Sequence, residues 1–240
     1  MIFPAVIAHG GAGPGPSRQK NLEQAIKKAA DILISGGNAL DAAVQACVIL
    51  EDDPVFNAGT GSVMRTDGSV LTDASIQTGD GKVGFVIAME DTPNPILVAA
   101  DLLDEEINGL TSHGARIWAD NKGHIKRKVV GVAPKGQIGD PEMEITGDTV
   151  GVIARDSTGM IVVATSTGGC SFRPPGRVGD VPLPGSGFWA EDGLAVAATG
   201  IGEAITRALL SNKVYEKIKD NTYSIEESLN WGINELISPE

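Results

Sequence analysis

Thr149 stands where a polar, aperiodic run gives way to an apolar alternation. The run spans Pro134 to Thr146. Gly147-Asp148-Thr149-Val150-Gly151 follows, and Val150, Val152 and Ala154 are spaced as one face of a strand. Two readings fit a threonine at this point. In the first it is a β-branched residue suited to a pleated, buried surface. In the second the bond between Asp148 and Thr149 breaks, and Thr149 then carries both a hydroxyl and a free α-amine. An α-amine titrates near roughly 7.7–8.0, so one residue would supply nucleophile and general base together.

Two other stretches carry chemistry-bearing residues. The glycine-rich turn His9-Gly10-Gly11-Ala12-Gly13-Pro14-Gly15-Pro16 has the composition of a phosphate cradle. It lacks the Lys-Ser/Thr of a P-loop, however, and fits the dinucleotide fingerprint poorly. A tight turn with glycines at positive φ is the simpler reading, with His9 as a structural hydrogen-bonder. Glu51-Asp52-Asp53 offers three carboxylates, but not at the spacing of a calcium-binding helix–loop–helix, and reads as a solvated helix end.

The elements that must position these residues are legible as patterns. Ala5 to Ala8 reads as a short buried strand. Ser17 is a candidate N-cap for a helix in which Leu22, Ala25, Ile26, Ala29, Ile32 and Leu33 recur at helical spacing, and Gly36-Gly37 stops it. Asn38, with Asp41 three residues on, caps a second helix, Ala39 to Leu50, apolar on most sides. Ser62 to Arg65 and Ser69 to Thr72, joined by Thr66-Asp67-Gly68, read as a hairpin. Strands are expected at Asp73 to Gln77 and Val83 to Met89, and short helices at Pro95 to Leu103 and Ser112 to Asp120. Pro134 to Asp148 reads as a flexible linker. A second hairpin pairs Val150 to Arg155 with Ile161 to Thr165. A strand at Leu194 to Ala198 follows, then a helix from Thr199-Gly200-Ile201-Gly202-Glu203 to about Leu210, and an amphipathic helix from about Ile225 to Ile237. Two successive helices against one core suggest a helical layer over a sheet.

Bulk composition narrows the classes. The 240 residues suffice for one large α/β domain or two small ones. The net charge of −12 and the absence of a basic block argue against nucleic-acid binding. Cys47 and Cys170 match no metal spacing and suit a reduced, cytoplasmic setting. The N-terminus has no signal-peptide pattern, and no apolar run is long enough to span a membrane. The 31 glycines, against an average near roughly 7%, indicate many tight turns or close backbone approaches.

Taken in order, HGGAG at His9, GGNALDAA at Gly36, DDPVFNAG at Asp52, GDTVG at Gly147, STGG at Ser166, GRVGD at Gly176 and TGIGE at Thr199 resemble the plant-type asparaginase and isoaspartyl peptidase family of N-terminal-nucleophile hydrolases. The resemblance covers the chain from Ala8 to about Leu210. It implies an α/β fold, a four-layer αββα sandwich, in a single domain over residues 1–240. Self-cleavage would divide this domain into an α-chain, 1–148, and a β-chain, 149–240, with two such pairs associating into a heterotetramer. By the same resemblance Thr149 is the nucleophile and Asp148-Thr149 the cleavage site. Thr167 hydrogen-bonds and tunes the nucleophile. Arg177 holds the substrate α-carboxylate and Asp180 its α-ammonium. Thr199 and Gly200 supply oxyanion donors, and Gly202 is a further substrate contact. No cofactor is required, and backbone carbonyls of the loop from Leu50 to Thr60 can hold a structural sodium ion. The residue types suit this chemistry: an arginine and an aspartate three apart on a glycine-flanked turn can read both charges of an aspartyl head. Taken singly, Arg177 with Asp180 is also compatible with a surface salt bridge, and Thr167 and Thr199 with ordinary strand positions.

The expected activity is hydrolysis of L-asparagine and β-aspartyl dipeptides, with small-molecule substrates and neither nucleic acid nor membrane as partner. The sequence departs from the family pattern in its Asp-Thr junction, shared with glycosylasparaginase, in a short linker, and in Cys170 where methionine is common. It also ends at Ile237-Ser238-Pro239-Glu240, where the family has a further glycine-rich hairpin. That implies either a smaller sheet or a truncated chain. The rival readings are a glycosylasparaginase-like activity, an unprocessed and catalytically silent homologue, and a phosphate-binding protein using the His9 to Pro16 turn.

Overall fold

The computed structural model describes residues 2–13, 16–133 and 148–237. The expected linker falls on residues 134–148, so all of it but Asp148 lies outside that description.

The chain forms an α/β fold around a six-stranded mixed sheet. Its strands, in chain order, are β1 (Ala5–His9), β2 (Thr72–Thr78), β3 (Val83–Met89), β4 (Gly109–Thr111), β5 (Val150–Arg155) and β6 (Ile161–Thr167). They lie in the order β1-β5-β6-β2-β3-β4, antiparallel except for the parallel β3–β4 pair. Helices α1 (Gln19–Ile34), α2 (Ala39–Asp52) and α3 (Pro95–Asp101) cover one face. α2 packs on β5 and β6 through a face of small residues, Ala39, Ala42, Ala43, Ala46 and Cys47, all inaccessible to solvent. Val150, Val152, Ala154, Val162, Ala164, Ala74 and Ile76 meet the helical layer from the sheet side. Burying a side chain such as Ile76 stabilises the fold by roughly 1.5–3 kcal/mol. α4 (Ser112–Asn121) follows β4 at the sheet's edge.

The opposite face of the sheet carries a two-stranded hairpin, β7 (Phe188–Glu191) and β8 (Leu194–Ala197). Val163 and Ile153 pack there against Phe188, Ala190, Ala195 and Ala197. Gln77 Nε2 donates to the Ala190 carbonyl at 2.8 Å and ties the two sheets. Beyond the hairpin lie α5 (Gly202–Ala208), α6 (Leu210–Lys219) and α7 (Ile225–Trp231). Ile205, Ala208, Leu210, Val214 and Tyr215 form a second apolar cluster with Val196 and Ala198. No described helix is long and apolar enough to cross a membrane.

Several expectations are corrected. Ser62 to Arg65 and Ser69 to Thr72 do not form a hairpin of strands. The Thr66-Asp67-Gly68 turn exists, with Arg65 N–H bonded to the Ser69 carbonyl, but Val63 instead makes an isolated bridge to Val132, and regular pairing begins only at Thr72. Ser17 lies in a 3₁₀ turn, and α1 starts after Arg18 without a side-chain cap. The helix expected to reach Leu210 breaks at Leu209, whose backbone is left-handed (φ 51°), and a new helix runs on to Lys219. Strands β4 and β7 were not legible, being only three and four residues long. The last helix is α-helical to Trp231 and continues as a π-turn.

The acidic cluster is also corrected at one of its three positions. Glu51 is fully buried, not solvated. Its Oε1 accepts from Ser166 Oγ (2.6 Å) and from Ile96 N–H (3.1 Å), and burial pushes its pKa up to about 8. Asp52 and Asp53 do lie at the helix end and are used locally, accepting from Asn94 and Asn21.

Candidate active site

The site grows out of strand periodicity. Val150, Val152, Val162 and Ala164 face the helical layer, so the alternate residues of β5 and β6 face the other way. Val150 is paired with Ser166. Thr149, one residue before β5, and Thr167, the last residue of β6, therefore sit side by side on the face opposite the helices. Asp73 of β2 is paired with Thr167 and shares that face. One-residue slippage would send all three into the helical layer, so the buried alternation guards the site's register.

The peptide carbonyl of Asp148 is held by two donors. Thr167 Oγ1 donates to it at 2.9 Å, and Asn57 Nδ2 donates to it at 2.9 Å. Thr167 Oγ1 in turn accepts from Gly169 N–H at 3.0 Å. Asn57 is locked from both ends: its second amide hydrogen goes to the Gly169 carbonyl (2.6 Å), and its Oδ1 accepts from Val63 N–H (3.0 Å). A dipole so fixed needs no reorganisation to polarise the carbonyl it touches.

The Asp148 side chain explains the glycine-rich turn. Its Oδ1 accepts from Gly13 N–H at 3.1 Å, and its Oδ2 pairs with Arg18 at 3.0 Å. A side chain at Gly11, whose φ is +113°, would put its Cβ 2.5 Å from the Asp148 carboxylate carbon. The turn is thus an anion seat filled from within the chain, and this leaves no observation in favour of phosphate. The ring nitrogens of His9 are buried against the Thr149 backbone. Neither ring nitrogen has a partner of standard geometry, and burial lowers its pKa to about 4, so it is neutral at pH 7.

Thr149 and Thr167 lie at the floor of a cavity of about 370 Å³, also lined by Arg173, Arg177, Asp180, Gly200, Gly202 and Glu203. Asp180 is buried. Its Oδ2 has no hydrogen-bond partner, and burial lifts its pKa to about 6. Gly202 lets the two groups close in: a Cβ there would lie 2.7 Å from Arg177 Nη2 and 2.8 Å from Asp180 Oδ1. Behind Gly169 stands the buried Arg65, whose guanidinium reaches the carbonyls of Cys170 and Leu71. Its charge counteracts the burial that raises Asp73 to about 6.

The structure thus brings together Asp148, Thr149, Thr167, Arg177, Asp180, Gly200 and Gly202. Thr199 stands at the margin. It lines an adjoining, mostly apolar cavity of about 480 Å³ with His9, Val196 and Ile233, and its buried Oγ1 has no partner. Arg177 is not an isolated cation. Its Nε and Nη2 make a two-pronged pair with Glu203 at 3.1 and 3.0 Å. Sequence reasoning missed Asn57, Arg18, Arg65 and Glu203. Asn57 and Glu203 lie inside two of the quoted motifs, DDPVFNAG and TGIGE, and that was their only signal. Among the described residues no cluster of three or more histidine, cysteine, aspartate or glutamate side chains is arranged to hold a metal.

Comparison with known proteins places the chain in a family. A family model described as Asparaginase matches residues 2–129 and 110–239. The plant-type L-asparaginase of Pyrobaculum calidifontis is 35% identical over 94% of this chain and 84% of its own length. The isoaspartyl peptidase/L-asparaginase of Bos taurus is 35% identical over 98% of this chain and 83% of its own length, and that of Homo sapiens is 38% identical over 87% and 74%. The chain therefore belongs to the asparaginase family of amidohydrolases.

Proposed function

We propose that this chain is a self-processing amidohydrolase that cleaves L-asparagine and β-aspartyl dipeptides with Thr149 as its N-terminal nucleophile. The observation that carries the reading is the Asp148 carbonyl gripped by Asn57 and Thr167 at the floor of a cavity that also holds Arg177 and Asp180. The names of its relatives, L-asparaginase and isoaspartyl peptidase, support the substrate class.

Processing begins when Thr149 Oγ attacks the Asp148 carbonyl carbon. The oxyanion that develops is met by Asn57 Nδ2 and Thr167 Oγ1. The C–N bond breaks, the hydroxyl proton passes to the released amine, and water hydrolyses the resulting ester. Residues 1–148 and 149–240 are the products. In turnover the free amine takes the proton of Thr149 Oγ, which attacks the side-chain amide of the substrate; the amide C–N bond then breaks, that proton leaves on ammonia or the departing amino acid, and water hydrolyses the β-aspartyl ester to release aspartate and free Thr149. Thr199 Oγ1, buried and without a partner, and Gly200 N–H serve the new oxyanion. Each such donor is worth roughly 3–4 kcal/mol. Asp180 Oδ2, also without a partner, takes the substrate ammonium, and Arg177 takes the α-carboxylate beside its pair with Glu203.

The four-layer sandwich belongs to the same proposal. It is supported by helices over the six-stranded sheet and by the β7–β8 hairpin with α5 and α6 beyond it. So do association of two processed pairs and a reducing, cytoplasmic setting, the latter motivated by two free cysteines. A sodium ion held by backbone carbonyls of the loop after α2 belongs to the same proposal. Sodium there would brace the segment that carries Asn57.

Denaturing electrophoresis and a substrate panel test the reading. Two fragments meeting at Asp148 and Thr149 are expected, with turnover of L-asparagine and a β-aspartyl dipeptide. A single intact chain after long incubation would instead mark a silent homologue. Preference for glycosylated asparagine by more than about tenfold in kcat/KM, or roughly 1.4 kcal/mol, would favour a glycosylasparaginase. Asn57→Ala is expected to slow self-cleavage by about 10²-fold or more, the usual cost of one oxyanion donor. A fold checked by circular dichroism together with a wild-type cleavage rate would remove Asn57 from the reaction.

A further inference from the structure

The cavity holds one arginine more than an aspartyl head uses. Its charged lining is Arg173, Arg177, Asp180 and Glu203. Arg177 is engaged by Glu203, and the free oxygen of Asp180 suits one ammonium. Among the described residues Arg173 makes no side-chain ion pair within 4.0 Å, although after Arg177 its charge also helps to hold Glu203 below the usual carboxylate range, and its buried Nε has no hydrogen-bond partner.

The backbone presents Arg173 deliberately. Phe172, just before it, is left-handed (φ 58°), an uncommon conformation for a bulky residue and one that persists only where its surroundings impose it. The Arg173 carbonyl is pinned by Thr66 N–H at 3.1 Å, and a turn closes from Arg177 N–H to the Pro174 carbonyl. Depth orders the pocket. Thr149, Thr167 and Asp180 are at most 5% exposed, whereas Arg173 leads into the exposed run Pro174-Pro175-Gly176, and Ile201, also lining the cavity, is 71% exposed. Arg173 therefore lines the cavity where it meets exposed chain, nearer solvent than Thr149.

We propose that Arg173 is a second carboxylate-binding residue, reading the free carboxylate of the amino acid that leaves from a β-aspartyl dipeptide. The inference rests on the functional reading above and names the substrate that it favours. L-Asparagine releases ammonia, which has no carboxylate, so Arg173 contributes to dipeptide hydrolysis and not to asparagine hydrolysis. Ile201 supplies apolar surface to the side chain of the same leaving residue.

The test uses processed enzyme with three probes: β-aspartyl-leucine, its C-terminal carboxamide and L-asparagine. Wild type is expected to favour the free acid over the carboxamide by about tenfold in kcat/KM, in line with a hydrogen bond to a charged group. Arg173→Gln is expected to collapse that ratio to near one and to lower the dipeptide-to-asparagine ratio by about tenfold, and Arg173→Lys to restore most of both. A purely structural role lowers all three activities together and leaves both ratios unchanged. That result, or unchanged activity on every probe, overturns the assignment. Wild-type enzyme inert on all three probes overturns the functional reading itself, and this inference with it.

Discussion

Thr149→Ala is expected to give a folded, uncut and inactive chain. Cleavage by N→O acyl shift needs the hydroxyl, and so does turnover, so the two activities fall together. Loss of a nucleophile that acts as one unit with its base costs at least ~10⁴-fold in kcat. Stability should change little. Thr149 sits just ahead of β5, and neighbouring Val150 and Val152, not Thr149, enter the helical core. Its side chain is replaced by one that still fits the pleat, a change of about 1 kcal/mol. Electrophoresis and a thermal melt measure the two effects separately. Cleavage of this variant at the wild-type rate would rule out Thr149 as nucleophile.

Arg177→Ala separates turnover from processing. The internal peptide at Asp148 has no free α-carboxylate, so self-cleavage does not use the guanidinium and should proceed within about threefold of wild type. The aspartyl head does use it. Loss of a charge-assisted contact of this kind is worth roughly 1.5–3 kcal/mol per hydrogen bond, so kcat/KM for L-asparagine should drop by about a hundredfold or more. Glu203 would lose its partner, but its side chain is 47% exposed and solvent can take over its charge. The guanidinium is also packed into the turn that brings Asp180 beside Gly202, so folding needs its own check. Loss of both activities in equal measure would show that Arg177 holds the fold.

Local pattern alone made a good part of this molecule legible. The 3.6-residue recurrence from Leu22 to Leu33 and the Asn38–Asp41 cap produced α1 and α2 nearly to the residue, because both signals act within one turn of helix. The alternation in Val150, Val152 and Ala154 placed β5, and its turn to β6 follows from Asp156 to Gly159. What failed was decided at long range. Ser62 to Thr72 has a hairpin's sequence, but Val63 is taken by Val132, 69 positions away in the chain. Glu51 ends a helix and looks solvated, yet Ser166 of β6 draws it into the core. Leu209 reads as a helix former, but its backbone is left-handed (φ 51°) and it ends α5 and opens α6.

The candidate site divides in the same way. The ordered set of short motifs, each unspecific, pointed to Thr149, Thr167, Arg177 and Asp180 through the family resemblance it carries. The tertiary structure alone decided what each of them touches. It filled the glycine-rich turn with the Asp148 carboxylate and put Asn57 on the Asp148 carbonyl. It closed Glu203 on Arg177 and left Arg173 lining the cavity. Residue type and spacing determine which chemistry is available. Hydrogen bonds and ion pairs between residues 26 to 135 positions apart depend on how strands align and layers pack, and no local pattern encodes that.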